Sequence, residues 1–158
     1  MLDNFGRKID YVRISVTDRC DLRCKYCMPE SNPNFYKKEE ILDINKLKLI
    51  SESLIDLGIR KFRITGGEPL VRKDIVEYIE FLSKKLSKKV IDEILLTTNG
   101  TQLRKYSKTL SDLGVKRVNV SLDSLINEKF NFITNGGNIE SVFEGIESAK
   151  ENKLSIKI

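Results

Sequence analysis

The chain has 158 residues, 40% of them hydrophobic and 32% charged, with a formal net charge of +5. This length is typical of one domain, and the composition supports a buried core rather than wholesale disorder. The charge is mild and the lysines are scattered, so we expect no nucleic-acid binding. The sequence shows no long apolar run and no apolar leader, which predicts a cytoplasmic protein that does not bind a membrane.

The hydrophobic pattern alternates strand-like runs with amphipathic helical segments. We expect strands at residues 9–17, 61–65, 91–98 and 115–121, and the start of a fifth strand at residues 154–158. Apolar residues at helical spacing predict helices within residues 47–57, 75–86, 103–113 and 142–149. Asp43 and Asn138 are candidate N-caps, and Gly58 and Gly114 are candidate helix stops.

The order of these elements predicts the architecture. Alternating strands and helices are typical of an α/β protein with a mainly parallel sheet and right-handed crossovers. Five strands are fewer than the eight of a closed barrel. We therefore expect a partial parallel (βα) barrel that is truncated after the start of the fifth strand, in a chain that is a piece of a longer protein.

Polar and apolar residues alternate along four of the five expected strands, so that each has one apolar and one polar face. In a barrel-like sheet the polar face lines the interior, where we expect these side chains to converge: Arg13, Arg63, Thr97, Asn119, Ser121 and Lys157. Buried cations without acidic partners are costly, and a bound polyanion would offset that cost. The alternative is that this face is exposed to solvent, or that the cations lie near strand ends.

Three cysteines, Cys20, Cys24 and Cys27, form a CxxxCxxC motif directly after the first expected strand, and the sequence contains no histidine. Clustered thiols indicate a metal or cluster site rather than a disulfide framework. Structural zinc normally takes four protein ligands, and no fourth Cys or His is present. Three thiolates on a four-iron cluster leave one iron open for a small molecule. Zinc with an outside or carboxylate ligand, and three unligated buried thiols, are the alternatives.

This motif, with Tyr26 before the last cysteine and Gly66-Gly67-Glu68 after the second strand, resembles the radical S-adenosylmethionine (SAM) superfamily. The resemblance implies that the cysteines hold a [4Fe-4S] cluster whose open iron binds SAM. It also implies that an electron from a reductant cleaves SAM to a 5′-deoxyadenosyl radical. By the same resemblance, the SAM contacts are Tyr26, Gly67, Glu68 and Ser121.

Within the superfamily, residues 5–158 resemble the molybdenum cofactor biosynthesis protein A family, whose members are GTP 3′,8-cyclases. The resemblance is carried by residues 13–20, 63–70, 97–100, 119–123 and 142–157. It implies abstraction of the ribose 3′ hydrogen of GTP and closure to (8S)-3′,8-cyclo-7,8-dihydroguanosine 5′-triphosphate. It assigns GTP binding to Arg13, Arg63, Thr97 and Lys157, and three of these are the cations that strand alternation places on the interior face.

Members of that family are about twice as long as this chain. Their C-terminal half carries a second cysteine cluster site and a Gly-Gly tail. We therefore interpret residues 1–158 as the N-terminal part of a radical SAM core domain that cannot complete the cyclisation alone, from a longer protein for which a homodimer is one option. The alternatives are another radical SAM enzyme, of a peptide-modifying or activating type, and a non-enzymatic metal-binding truncation product.

Overall fold

Five parallel strands form the centre of the computed structural model, which describes residues 2–28 and 34–158. Their spatial order is the sequence order, and each neighbouring pair is parallel. The strands are β1 Tyr11–Ser15, β2 Lys61–Thr65, β3 Glu93–Thr98, β4 Val115–Val120 and β5 Ser155–Lys157. All five strands predicted from the sequence are present; β2 has the predicted bounds and the other four are slightly shorter than predicted.

Helices connect successive strands. In the described part of the chain they are α1 Ile44–Asp56, α2 Ile75–Ser87, α3 Leu103–Asp112, α4 Asn127–Thr134 and α5 Ile139–Glu151, with a short 3-10 helix at Pro69–Val71. The predicted N-caps are confirmed, because the Asp43 carboxylate accepts from the N–H of Lys46 and the Asn138 side chain accepts from that of Glu140. Gly58 and Gly114 follow α1 and α3 with positive φ angles of 96° and 78°.

Helix α4 has no counterpart among the helices predicted from the sequence. Its buried residues are Phe130 and Thr134, and the exposed Phe132 lies between them. A single apolar residue on the buried face gives no stripe at helical spacing, so the hydrophobic pattern could not indicate this helix.

One face of the sheet packs against the helices. Buried apolar residues of β2, β3 and β4 belong to one hydrophobic cluster with residues from each of α1, α2, α3 and α5. Its central members are Phe62, Ile64, Ile94, Leu96 and Val118 from the strands, with Leu47, Tyr78, Leu82, Leu103 and Ile146 from the helices. Burying this surface is the main source of stability for the sheet.

The opposite face carries the polar residues, as strand alternation predicts. Arg13 pairs with Arg63 in the β1–β2 register, and Asn119 pairs with Thr97 on one side and Lys157 on the other. Directly paired residues of neighbouring strands point to the same face of the sheet. These five side chains therefore share the face that no described helix covers.

β1 and β5 are the outer strands of the sheet, so the described structure is an open, partial barrel, as expected from the strand count. None of the described helices is long and apolar enough to cross a lipid bilayer.

Candidate functional site

The carboxyl ends of the strands surround a cavity of about 230 Å³. Ligands of parallel α/β sheets bind at this edge. The three cysteines line the cavity, and so do residues at or just after the carboxyl ends of β2, β3 and β4, among them Gly66, Gly67, Thr97, Asn99, Ser121 and Asp123. We call this the cysteine cavity. Its lining residues come from segments that are far apart in the sequence.

The cysteines lie on the segment 16–28 that follows β1, here called the cysteine loop. The N–H groups of Cys27 and Met28 donate to the Cys24 carbonyl at 3.1 and 2.8 Å, so the loop closes into a tight turn after Cys24. The N–H groups of Arg23 and Lys25 donate to carbonyls at the end of α4, at 3.2 and 2.9 Å. The loop is thus fixed by its own turn and by a helix that comes much later in the chain.

Two glycines let the end of β2 approach the cysteine loop. The Gly67 N–H donates to the Thr17 carbonyl, and the Glu68 N–H donates to the Arg19 carbonyl, both at 2.7 Å. A Cβ atom at Gly66 would lie 2.6 Å from the Thr17 carbonyl oxygen, and one at Gly67 would meet backbone oxygens of Asp18 and Arg19. The Gly-Gly pair therefore has a steric reason that is independent of any ligand.

All three thiols are free and differ in exposure, since Cys24 is buried, Cys20 half-buried and Cys27 exposed. Burial raises the pKa of the Cys20 thiol above its ordinary value. Burial, together with the neighbouring Cys27 and Cys20 sulfurs, raises the pKa of Cys24 to about 11. Metal binding must therefore displace protons from at least these two thiols.

Three thiols are the donor type that iron–sulfur clusters use. Within residues 2–28 and 34–158, no three His, Cys, Asp or Glu side chains converge as ligands of one metal ion would. The three thiols nevertheless line one cavity. In an iron–sulfur cluster the thiolates bind different irons, so that they need not meet at one point. The residues present fit a cluster held by Cys20, Cys24 and Cys27.

Glu68 lies behind the cavity wall and is not among the residues that line it. Its side chain is completely buried. One carboxylate oxygen accepts from the N–H of Leu70 at 2.9 Å and from the Thr98 hydroxyl at 2.8 Å, and the other accepts from the N–H of Asn99 at 2.7 Å. These bonds tie the end of β3 to the segment after β2. The Glu68 side chain thus has a positioning role in the described structure, and its SAM contact stays a prediction.

Glu68 makes folding stability depend on pH. Burial raises the pKa of this carboxyl to about 7, against the hydrogen bonds that favour its ionised form. A raised folded-state pKa favours the protonated form, so stability is highest below about pH 4.5 and falls as pH rises to about 7. The loss from this group is up to about 3 kcal/mol.

Urea unfolding of the wild-type chain and of Glu68→Gln between pH 5 and 8 measures this effect. The variant has no group to titrate, so we expect the fall in the free energy of unfolding over this interval to be shallower in Glu68→Gln than in the wild type. Parallel pH profiles for the two chains would contradict the assigned pKa.

Tyr26, predicted as a SAM contact, lies on the cavity wall with its hydroxyl donating to Asp123 Oδ2 at 2.9 Å. Burial and the hydrogen bond to Asp123 raise the pKa of Tyr26, so the phenol stays neutral. Asp123 and Asn99 line the same cavity but were not among the predicted site residues. The only signal for them was their position in the two short motifs that follow β4 and β3.

Arg63 is the one predicted GTP contact that is a buried cation. Its Nε donates to the Tyr11 hydroxyl at 2.6 Å, and its Nη1 lies 3.3 Å from the Thr97 hydroxyl oxygen. Arg13 and Lys157 lie on the same sheet face but are exposed, so the argument from costly buried cations holds for Arg63 alone. No acidic side chain of the described residues forms an ion pair with any of these three cations.

The family model for the radical SAM superfamily matches residues 14–158, and the chain belongs to this superfamily. Membership implies a [4Fe-4S] cluster and SAM as cofactors. Among curated proteins, the chain is 50% identical over its whole length to a GTP 3′,8-cyclase of Bradyrhizobium diazoefficiens and 48% identical to one of Brucella abortus. It spans 46% of the length of each of these relatives.

Solved structures show the same fold at low sequence identity. The chain is similar to anSMEcpe with bound AdoMet and the Kp18Cys peptide, with a TM-score of 0.73 and 24% identity, over 94% of this chain and 42% of that one. It is also similar to methylornithine synthase (PylB), with a TM-score of 0.68 and 14% identity, over 92% of this chain and 42% of that one. These likenesses support the open (βα) barrel and carry no statement about substrate.

Proposed function

We propose that this chain is the SAM-binding part of a GTP 3′,8-cyclase that acts in molybdenum cofactor biosynthesis. The observation that carries the proposal is the cysteine cavity. It holds three free thiols and the Gly66-Gly67 pair, and it lies at the carboxyl edge of the sheet. The chain is also 50% identical over its full length to a GTP 3′,8-cyclase.

Cys20, Cys24 and Cys27, which line the cysteine cavity, would hold the cluster and leave one iron free to bind SAM. Tyr26, Gly67 and Ser121 line this cavity and are the proposed SAM contacts. When bound, the cluster and SAM supply a carbon radical that abstracts hydrogen. The protein's own contribution is to hold the cysteine loop in place and to enclose SAM next to the polar sheet face.

The proposed GTP site is that polar face, with Arg13, Arg63, Thr97 and Lys157. Guanidinium groups match the geometry and charge of phosphate oxygens. The Asn119 amide oxygen, between Thr97 and Lys157 in register, is buried without a hydrogen-bond partner among the described residues. A ligand with both phosphate oxygens and sugar hydroxyls would satisfy these cations and this acceptor. The reaction that follows is 3′-hydrogen abstraction and C3′–C8 closure of GTP.

Anaerobic reconstitution followed by a dithionite-driven SAM cleavage assay tests the cofactor part of the proposal. We expect about four irons per chain and release of 5′-deoxyadenosine. Bound zinc, or reconstituted protein that does not cleave SAM, would contradict it. Cyclised nucleotide formed by the 158-residue chain without any partner chain would contradict the further proposal that residues beyond this chain are needed.

Arg63→Met tests the GTP site. Removing an unpaired buried cation is expected to leave the free energy of unfolding unchanged or raised, because no acidic partner is left behind. GTP affinity is expected to fall about tenfold or more, since a charged hydrogen bond contributes about 1.5–3 kcal/mol. Fluorescent-nucleotide titration and urea unfolding give the two readouts.

The matched control is Arg104→Met, which removes an exposed cation of α3, on the side of the sheet opposite the polar face, and should leave GTP affinity unchanged. Equal GTP affinities for Arg63→Met and Arg104→Met would contradict the assignment and favour another radical SAM substrate, such as a peptide.

A further inference from the structure

Asn99, just after β3, holds its side chain between two groups of the cysteine loop. Its Nδ2 donates to Asp21 Oδ1 at 2.7 Å and lies 3.7 Å from Cys20 Sγ. Its Oδ1 accepts from the Thr101 N–H at 3.0 Å. A carboxylate only accepts and a backbone N–H only donates, so these contacts determine that the NH₂ end of the amide faces Cys20.

Hydrogen bonds to its backbone and to its side chain fix the position of Asn99. Its backbone N–H donates to the buried Glu68 carboxylate at 2.7 Å. Asp21, which receives the side-chain amide, also accepts from the Thr101 hydroxyl at 2.6 Å and from Gln102 Nε2 at 3.2 Å. The amide cannot turn away from Cys20 without breaking several of these bonds. It is therefore a preorganised donor rather than a mobile surface group.

The position of this donor matters because of the charges beside it. Cys20 Sγ is 4.0 Å from Asp21 Oδ1, so a Cys20 thiolate faces a carboxylate. The Asn99 amide offers hydrogens to both, and the Leu22 N–H approaches the same sulfur at 3.4 Å. Hydrogen bonds to cluster sulfurs stabilise negative charge and favour the reduced state, which carries one more electron.

We propose that Asn99 is a positioning residue that raises the reduction potential of the cluster through its N–H contact with the Cys20 sulfur, and that Asp21 orients its amide. The inference rests on the proposed function, because it requires a cluster on Cys20. Its effect is on acceptance of an electron from the reductant, not on binding of SAM or GTP.

Spectroelectrochemical titration of the reconstituted chain tests the proposal. Asn99→Ala removes the donor, and we expect the ratio of reduced to oxidised cluster at a fixed potential to fall about tenfold, a shift of about 59 mV for one electron. Gln102→Ala is the matched control, since Gln102 contacts Asp21 but not Cys20, and its midpoint should equal that of the wild type. Equal midpoints for Asn99→Ala and Gln102→Ala would overturn the inference.

A second readout needs no variant. The wild-type chain is prepared with nitrogen-15 in asparagine side chains, and pulsed EPR of the reduced cluster is expected to show coupling to a side-chain amide nitrogen. Absence of this coupling in loaded wild-type protein overturns the inference and leaves the proposed function intact. A wild-type chain that binds no four-iron cluster overturns both.

Discussion

Cys24→Ser is expected to reduce bound iron after anaerobic reconstitution from about four per chain to well below one, and to abolish SAM cleavage. The serine hydroxyl stays protonated at neutral pH and is a hard ligand, whereas the cluster requires a soft thiolate. Cys24 lies at the centre of the cysteine loop, and its carbonyl accepts the two N–H groups that close the turn. Iron analysis and 5′-deoxyadenosine release measure the effect, with circular dichroism to confirm folding.

A double variant separates the position of the thiol from the number of thiols. Cys24→Ser with Ser53→Cys restores three cysteines but places the third on the exposed surface of α1. We expect it to remain without a cluster. Full iron content in Cys24→Ser would show that Cys24 is not a ligand.

Gly67→Ala is expected to destabilise the chain by about 3 kcal/mol, at the upper end of the cost of overpacking. The added methyl group would overlap the Arg19 carbonyl and lie 2.7 Å from the Asp18 carbonyl oxygen. Both are backbone atoms of the cysteine loop, so relief requires the loop to move away from β2. The hydrogen bonds from Gly67 and Glu68 to this loop would lengthen, and cluster binding should weaken in parallel.

Gly6→Ala is the comparison for this variant. Gly6 has a φ of 75° and no atom within 4 Å of an added Cβ, so alanine there adds backbone strain without a clash. Its expected cost is about 1 kcal/mol. Urea unfolding of both variants gives the comparison, and a Gly67→Ala chain as stable as Gly6→Ala would remove the steric explanation of the glycine pair.

The hydrophobic pattern sufficed to predict the strands, the polar face of the sheet and four of the five α-helices found in residues 2–28 and 34–158. Strand alternation placed Arg13 and Arg63 on one face because a residue's face depends only on its parity in a strand. Exposure does not follow from parity. Arg13 and Lys157 are exposed because they lie on the outer strands β1 and β5, while Arg63 is covered by its neighbours Tyr11 and Thr97.

The parts of the site that the sequence could not predict depend on contacts between distant segments. Glu68 belongs to a motif that indicates cofactor binding, but its side chain turns inward, where two of its three hydrogen-bond donors come from the end of β3. Asn99 likewise acquires its role from Asp21 and Cys20, which precede it by a large part of the chain. No local pattern contains information about such partners.

The two hydrogen bonds between the cysteine loop and the end of α4 have a consequence for biosynthesis. Arg23 and Lys25 are translated early, but their acceptors, Thr134 and Ile133, leave the ribosome far later. At typical elongation rates this interval is on the order of ten seconds. During it the cysteines are present in the nascent chain without their support, exposed to oxidants and to competing metals. This order of synthesis favours cluster insertion after α4 has been made. Until then the three thiols must stay reduced.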